Sequence, residues 1–278
     1  MAKSNILITG ANGQLGTELS HLLPNAIFTN SKQLDITCMP MVQDFIHDNN
    51  IDTVINCAAY TAVDRAEQEP EKAMDVNKNG PMNLAKCVKN IIHISTDYVF
   101  DGASNHPYKP NDRTYALSVY GQTKRAGEKS VLLNAENAII IRTSWLYSPY
   151  GNNFLKTMRR LGAEKDEINV VCDQIGTPTY AADLARAIVD IVPQMSFQTR
   201  GIYHFSNEGA CSWYDFAHEI MKQSGLKCHV NPIPSSQYPT LAKRPFYTVL
   251  DKSDIKRMFD IKITHWTDAL ERCITRMK

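Results

Sequence analysis

Residues Asn5–Thr9 form a short apolar run. Three glycines follow at three-residue spacing, Gly10, Gly13 and Gly16, and leucines at 15, 19, 22 and 23 then mark one face of a helix. A strand that is apolar on both faces must be covered on both, and a strand passing through a glycine loop into a helix opens a βαβ unit. This start constrains the chain toward a parallel sheet layered by helices. Glycines at such a turn let the backbone bend sharply. They also let a ligand reach the helix N-terminus, where unpaired N–H groups and the helix dipole favour an anion such as a pyrophosphate. The Gly-x-x-Gly-x-x-Gly spacing is wider than the usual dinucleotide fingerprint, so the string alone also fits a plain turn.

The alternation continues. A second strand is expected near Asn25–Thr29, and further strands at 52–57, 90–95 and 138–142, with helical stretches around 38–48, 71–89 and 118–134 between them. This is the pattern of an α/β doubly wound parallel sheet with right-handed crossovers. Beyond about residue 146 the chain becomes rich in Pro, Asn and Gly, with shorter helices expected at 153–161, 181–192, 212–224 and 266–277. The reading is a cofactor-binding domain over 1–147, to which a later segment near 165–205 returns, and a smaller, mainly substrate-binding α/β domain over 148–278.

A formal net charge of +1 offers no basic stripe for a phosphate backbone, so nucleic acid is not an expected partner. Seven cysteines, at 38, 57, 87, 172, 211, 228 and 273, are odd in number and contain no Cys-x-x-Cys pair, which suits reduced thiols. No stretch approaches the roughly 18 apolar residues of a membrane helix. The expectation is a cytoplasmic protein without membrane contact.

The second informative string is Tyr120-Gly121-Gln122-Thr123-Lys124. At i and i+4 on a helix, phenol and ammonium share one face, so the lysine can favour the ionised phenol. Bringing a phenol from about 10 to about 7 takes roughly 4 kcal/mol of differential stabilisation, which a lysine plus a cationic nicotinamide could supply. Thr96 and Asp97 end the fourth strand at the carboxyl edge of the sheet, where open α/β sheets hold ligands. Thr96 there can hold a carbonyl that Tyr120 protonates. The same hydroxyl can also be only a cap or turn former. At the end of the second strand, Thr29-Asn30-Ser31-Lys32 lacks the acidic residue that selects NAD. Its hydroxyls and one cation suit a 2′-phosphate, although a solvated turn reads equally well.

Gly10 to Gly16, Ala58-Ala59-Tyr60-Thr61-Ala62-Val63-Asp64, Ser95 to Phe100, Tyr120 to Lys124 and Arg142 to Tyr147 together resemble the extended short-chain dehydrogenase/reductases. The likeness continues through Gly151 to Phe154, Asp173 to Thr179, Ser212 to Asp215 and Ala242 to Pro245, and so covers almost the whole chain. More narrowly, the chain resembles the branch that reduces dTDP-4-dehydro-L-rhamnose. The resemblance implies a Rossmann-like first domain and NADPH- or NADH-dependent reduction of the 4-keto group of that compound or a related nucleotide sugar. Tyr120 would be the proton donor, Lys124 would hold the nicotinamide ribose, and Thr96 would bind the same oxygen. It implies cofactor contacts at Gly10, Gly13, Gln14, Leu15, Gly16, Asp35, Ile36, Ala59, Tyr60 and Thr61. Substrate contacts would come from Thr96, Asp97, Trp145 and Arg244, the last clamping the diphosphate. The plainer alternatives are a core aromatic for Trp145 and a surface ion pair for Arg244.

Other members of the same scaffold leave two further functions open, a nucleotide-sugar epimerase and a non-catalytic regulatory subunit. The chain also departs from the family pattern. Lys86 to Asn90 leaves little room between helix and strand, Lys109 to Asp112 lacks a frequent glutamate, and Ala116 stands where proline is common. No clear set of glutamates for a magnesium-bridged dimer is present, so a homodimer is left open and no metal is expected. His218-Glu219 begins like a zinc-protease helix, but residue 222 is lysine. Gly-x-Ser-x-Gly and Gly-Lys-Ser/Thr strings are also missing.

Overall fold

Isoleucines and valines populate the central strands and are wholly buried at Ile8, Val54, Ile55, Ile91, Ile92, Ile139, Ile140 and Ile141. Each contributes roughly 1.5–3 kcal/mol by leaving water. In the computed structural model, which describes residues 5–277, the first half runs β1 (Ile6–Thr9), α1 (Gln14–Leu22), β2 (Ile27–Thr29), α2 (Met39–Asp48), β3 (Thr53–Asn56), α3 (Val63–Ala66), α4 (Pro70–Met74), α5 (Gly80–Cys87), β4 (Asn90–Thr96), α6 (Val119–Asn134) and β5 (Asn137–Thr143). The second half adds β6 (Leu146–Tyr147), α7 (Phe154–Glu164), β7 (Glu167–Val171), β8 (Ile175–Gly176), β9 (Thr179–Tyr180), α8 (Ala181–Ile191), β10 (Gly201–His204), β11 (Cys211–Ser212), α9 (Trp213–Ser224), β12 (His229–Ile233), α10 (Ser253–Phe259) and α11 (Trp266–Thr275).

Six parallel strands form one sheet in the order β10-β5-β4-β3-β1-β2. The chain leaves β1 to one side for β2 and returns on the other for β3, so the topological switch lies between β1 and β3. Ligands of open α/β sheets bind outside the carboxyl ends at such a point. Leu15 and Leu19 of α1, Leu184 and Ile188 of α8 and Ile255 of α10 cover one face. Val42 and Ile46 of α2, Leu84 of α5 and Val131 of α6 cover the other. A second core, around Tyr147, Leu155, Phe216, Trp266 and Leu270, belongs to the C-terminal lobe.

The return to the sheet lies in α8 and β10, while β7, within the same 165–205 stretch, pairs with β12 in the other lobe. The later helix α10 also packs on the sheet, through Ile255 and Phe259. The helix expected over 71–89 is interrupted: a wide π turn, Asp75–Asn79, separates α4 from α5. The reason is local. Asn77 in that turn is fully buried, and its amide accepts from Tyr60 N (2.8 Å) and donates to the Tyr60 carbonyl (3.1 Å) and Thr123 Oγ1 (3.1 Å). A regular helix would rotate this side chain away from both partners. The short link of Val88 and Lys89 between α5 and β4 matches the limited room expected there.

Helix α6 sits close to this turn because Gly127 lacks a side chain. A Cβ there would stand 2.1 Å from the Asn77 carbonyl oxygen. Alanine normally gains about 1 kcal/mol over glycine inside a helix. Here overpacking against backbone dominates, and Gly127→Ala is expected to lose about 1–3 kcal/mol in urea unfolding. An unchanged midpoint would mean that the helix has room to move outward.

Candidate active site

The carboxyl ends of β1, β3, β4 and β5 open into a cavity of about 830 Å³. Its first wall is the loop after β1. Gly10 adopts φ +71°, and a Cβ there would stand 2.7 Å from the Ala58 nitrogen, while a Cβ on Gly16 would stand 2.4 Å from the Gly10 carbonyl oxygen. Gly13 is the residue before α1 and offers no side-chain cap, so the first N–H groups of the helix face the cavity without a side-chain acceptor. A pyrophosphate fits this cradle, since backbone N–H groups and the dipole are what it requires.

The adjoining wall comes from Thr29, Asn30, Ser31, Leu34, Asp35, Ile36 and Thr37. Asp35 is exposed and accepts from Thr37 N (2.9 Å) and Thr37 Oγ1 (2.7 Å) at the edge of this wall. Thr29 Oγ1 is buried with no hydrogen-bond partner, a hydroxyl available to a bound polar group. Lys32, the expected cation, is exposed and does not line the cavity. After β3, Ala58, Ala59 and Thr61 line it. Tyr60 does not, because its hydroxyl donates to Glu69 Oε2 at 2.7 Å.

Helix α6 delivers the phenol. The Ser118 hydroxyl caps it by accepting from Gly121 N at 3.2 Å, and Glu67 Oε1 accepts from Val119 N at 2.9 Å. A Cβ on Gly121 would stand 2.2 Å from the Tyr98 carbonyl oxygen, so glycine lets the first turn rest on the end of β4. Tyr120 consequently lies edge-on to Tyr98, with ring centroids 5.7 Å apart. Thr96 ends β4 as a cap, its hydroxyl accepting from Tyr98 N at 3.2 Å and donating to Asp97 Oδ1 at 3.1 Å, and it stands beside the Tyr120 phenol, whose pKa it lowers. Thr96, Asp97, Tyr98, Tyr120 and Lys124 all face the cavity.

Their electrostatics differ from the sequence expectation. Burial pushes the Tyr120 phenol up to about 12, with the Thr96 hydrogen bond opposing and Asp97 reinforcing the rise. Lys124 is not among the influences on that phenol. Its ammonium donates to the Ile94 carbonyl at 2.6 Å, and burial lowers its pKa to about 8 against the pull of Glu128 and Cys57. The expected drive toward 7 is therefore absent from the protein alone, because burial of an anion outweighs a cation that is itself anchored elsewhere. The phenol is held protonated.

The opposite wall is aromatic. Trp145 takes φ +47°, rare for a residue with a side chain, and stacks on Trp213 with centroids 3.6 Å apart and planes 11° apart. Gly176 makes room, since a Cβ there would stand 2.7 Å from the Trp145 ring. Trp213 was not among the expected site residues. Its signal is the Ser212-x-x-Asp215 capping box, which fixes the start of α9 and sets Trp213 at the cavity. Gln14 has a second role beyond the loop. It donates to the Leu146 carbonyl (3.2 Å) and accepts from Ser148 Oγ (3.1 Å) and Asn153 Nδ2 (2.9 Å), tying the glycine loop to the second lobe.

Arg244 stands apart from the cavity lining. Its guanidinium donates bidentately to Asp64 (3.1 and 2.7 Å), and Ala242 N donates to the same carboxylate at 3.0 Å, so the 238–246 loop is strapped to α3. His218 and Glu219 form no metal-like pair with residue 222, where Lys222 instead bridges to Glu219 at 3.3 Å. Among the described residues no helix is long and apolar enough to cross a membrane.

The family model for the RmlD substrate binding domain matches residues 4–278. The chain is 42% identical to a dTDP-4-dehydrorhamnose reductase of Aggregatibacter actinomycetemcomitans, with 96% of this chain and 97% of the relative covered. Among solved structures it resembles a dTDP-4-dehydrorhamnose reductase of Clostridium acetobutylicum (TM-score 0.94, 40% identity, 98% and 99% coverage). It also resembles the Bacillus anthracis reductase solved with NADP (TM-score 0.93, 38% identity, 99% of both chains).

Asp97 gives this site a pH signature. It is 2% exposed, its Oδ2 makes no hydrogen bond of standard geometry, and burial pushes the carboxyl up to about 6, with Thr248 and Thr96 offsetting part of the rise. A folded pKa above the unfolded value means that the ionised carboxylate costs stability above about pH 6, and the cost vanishes below the unfolded value near 4. Asp97→Asn is expected to raise stability at pH 8, by at most about 3 kcal/mol, with the gain shrinking as pH falls through 6 toward 4. Thermal melts of the ligand-free protein across this range check it, and a gain independent of pH would contradict a carboxyl held up by burial.

Proposed function

The chain belongs to the RmlD substrate-binding-domain family, the dTDP-4-dehydrorhamnose reductases, and from that premise we propose that it reduces the 4-keto group of dTDP-4-dehydro-L-rhamnose to give dTDP-L-rhamnose. The observation that carries the reading is the meeting of Thr96, Tyr120 and Lys124 at the cavity floor, beside a glycine cradle that fits a pyrophosphate. When bound, the reduced nicotinamide supplies the hydride. Gly10, Gly13, Gln14, Leu15 and Gly16 would hold the pyrophosphate. Asp35 and Ile36 would lie beside the adenine, and Ala59, Tyr60 and Thr61 would contribute chiefly through backbone, since the Tyr60 hydroxyl is engaged by Glu69. An adenosine end bordered by Thr29, Asn30 and Ser31 offers hydroxyl and amide groups to a 2′-phosphate, which suits NADPH while leaving NADH usable.

Tyr120 and Thr96 can hold one ketone oxygen between two hydroxyls, which orients the carbonyl for attack. A phenol near 12 is fully protonated at neutral pH, the state a donor needs. The alkoxide formed at C4 is a stronger base than phenolate, so the proton passes from Tyr120 Oη to that oxygen. Lys124, one turn along α6, is then placed to stabilise the phenolate until solvent restores its proton, and to hold the nicotinamide ribose. Asp97 and Trp145 would border the sugar. Arg244, with donors left over from the Asp64 pair, would reach the diphosphate from the strapped loop. The two lobes divide these tasks, cofactor on the sheet lobe and sugar toward residues 148–278, and cytoplasmic residence goes with the reaction.

The test is an assay of NADPH or NADH oxidation with dTDP-4-dehydro-L-rhamnose. Net oxidation matched by product is expected, whereas tightly retained NAD without net oxidation would mark an epimerase and reject the reductase reading. Tyr120→Phe should cut kcat by about 10²–10⁴ and leave cofactor affinity nearly unchanged. Unaltered turnover in that variant would remove the phenol from the reaction. Arg244→Ala should act mainly on substrate KM, and equal KM values for wild type and variant would return Arg244 to a purely structural strap.

A further inference from the structure

A buried charged cluster lies behind Lys124 and takes no part in the reaction as proposed. Glu128 stands one turn further along α6 and is 3% exposed, as is its partner Arg142 on β5. The carboxylate accepts from Arg142 Nε and Nη2, both at 2.8 Å, and from the Ser95 hydroxyl at 2.5 Å. Arg142 Nη1 also donates to the Pro110 carbonyl at 3.1 Å and lies 3.4 Å from His204 Nε2, while His204 Nδ1 faces the Tyr108 carbonyl at 3.0 Å. These partners leave His204 neutral with its proton on Nδ1. Strands β4 and β5 thus meet on the Glu128 carboxylate, and β10 and the loop before α6 on its partner Arg142.

A buried ion pair seldom stabilises a fold more than well-packed apolar residues would, because desolvation consumes most of the attraction. Its geometry has a more specific consequence. Ser95 is flanked in sequence by Ile94, whose carbonyl receives the Lys124 ammonium, and by Thr96, which meets the phenol.

We infer that Glu128 is a positioning residue for Lys124 and Thr96: by accepting from Ser95 and Arg142 together, it fixes α6 in register on the strand that presents both. The inference rests on the reductase reading above. Glu128 also supplies a negative charge that supports an ammonium whose pKa burial lowers. The other titratable groups facing Lys124 are Cys57 from the end of β3, whose thiol burial pushes up to about 12, and His93 from β4, which burial keeps neutral. From the turn before α5 the uncharged Asn77 donates to Thr123 Oγ1 of α6, and from beyond β4 Asp97 acts on Tyr120.

The test follows Lys124 directly by 15N NMR of lysine-labelled protein and, in parallel, the alkaline limb of kcat/KM. Glu128→Gln keeps the shape and removes the charge, and both midpoints are expected to fall by about one pH unit. Glu128→Gln/Arg142→Met removes both buried charges in case the single variant fails to fold, and a smaller downward shift is expected because a cation is lost with the carboxylate. Glu128→Asp should bring the limb back toward the wild-type position. A folded variant in which either midpoint stays put overturns the inference while wild-type turnover leaves the reductase reading standing. Failure of the wild type to oxidise NAD(P)H with the keto sugar overturns both.

Discussion

The closeness of helix α6 to the end of strand β4 is the constraint on which the site depends. One glycine permits it, and a second seats the same helix on the turn before α5. Gly121 rests on the Tyr98 carbonyl and Gly127 on the Asn77 carbonyl, each where a single methyl would collide with backbone. Tyr120, whose phenol stands beside Thr96, directly precedes the first contact, and Lys124, whose ammonium meets the Ile94 carbonyl, lies between the two. The caps from Ser118 and Glu67 fix where the helix begins, so the phenol has one height above the sheet. The site's precision thus comes from backbone packing and capping, and the functional side chains inherit it.

Burial then sets the chemistry. The same close packing that orients the phenol removes it from water, which holds it protonated, and lowers the lysine toward neutrality. Two opposite shifts, one on an acid and one on a base, follow from one cause. For a reductase this is a workable starting state, because the donor must carry its proton before hydride arrives. The buried Glu128–Arg142 pair keeps a negative charge within reach of the ammonium without presenting it to the cavity.

Much of the fold was legible because its signals are local and repeat. Apolar runs at β1, β3, β4 and β5, the leucines of α1 and the spacing of Tyr120 and Lys124 each follow from a short-range rule. The wide turn around Asn77 was not legible. A stretch with helical composition gives no sign that one asparagine must reach a loop 17 residues earlier. Nor was the engagement of Lys124 by Ile94, of Tyr60 by Glu69 or of Arg244 by Asp64, since each depends on which elements meet in space. Trp213 lay between these cases. Its capping box is readable, but its stacking on Trp145 requires a left-handed backbone at residue 145 that sequence does not announce. The return of α10 to the sheet lobe was hidden in the same way, by a long excursion through the second lobe.

The most direct measurement is a crystal structure of the chain with oxidised cofactor and dTDP-L-rhamnose bound together. The account predicts Tyr120 Oη and Thr96 Oγ1 both within about 3.2 Å of the C4 oxygen, with the nicotinamide ring against the opposite face of C4 and Lys124 on its ribose. A C4 oxygen turned toward Trp145, or a nicotinamide lying away from the carboxyl end of β4, would contradict it.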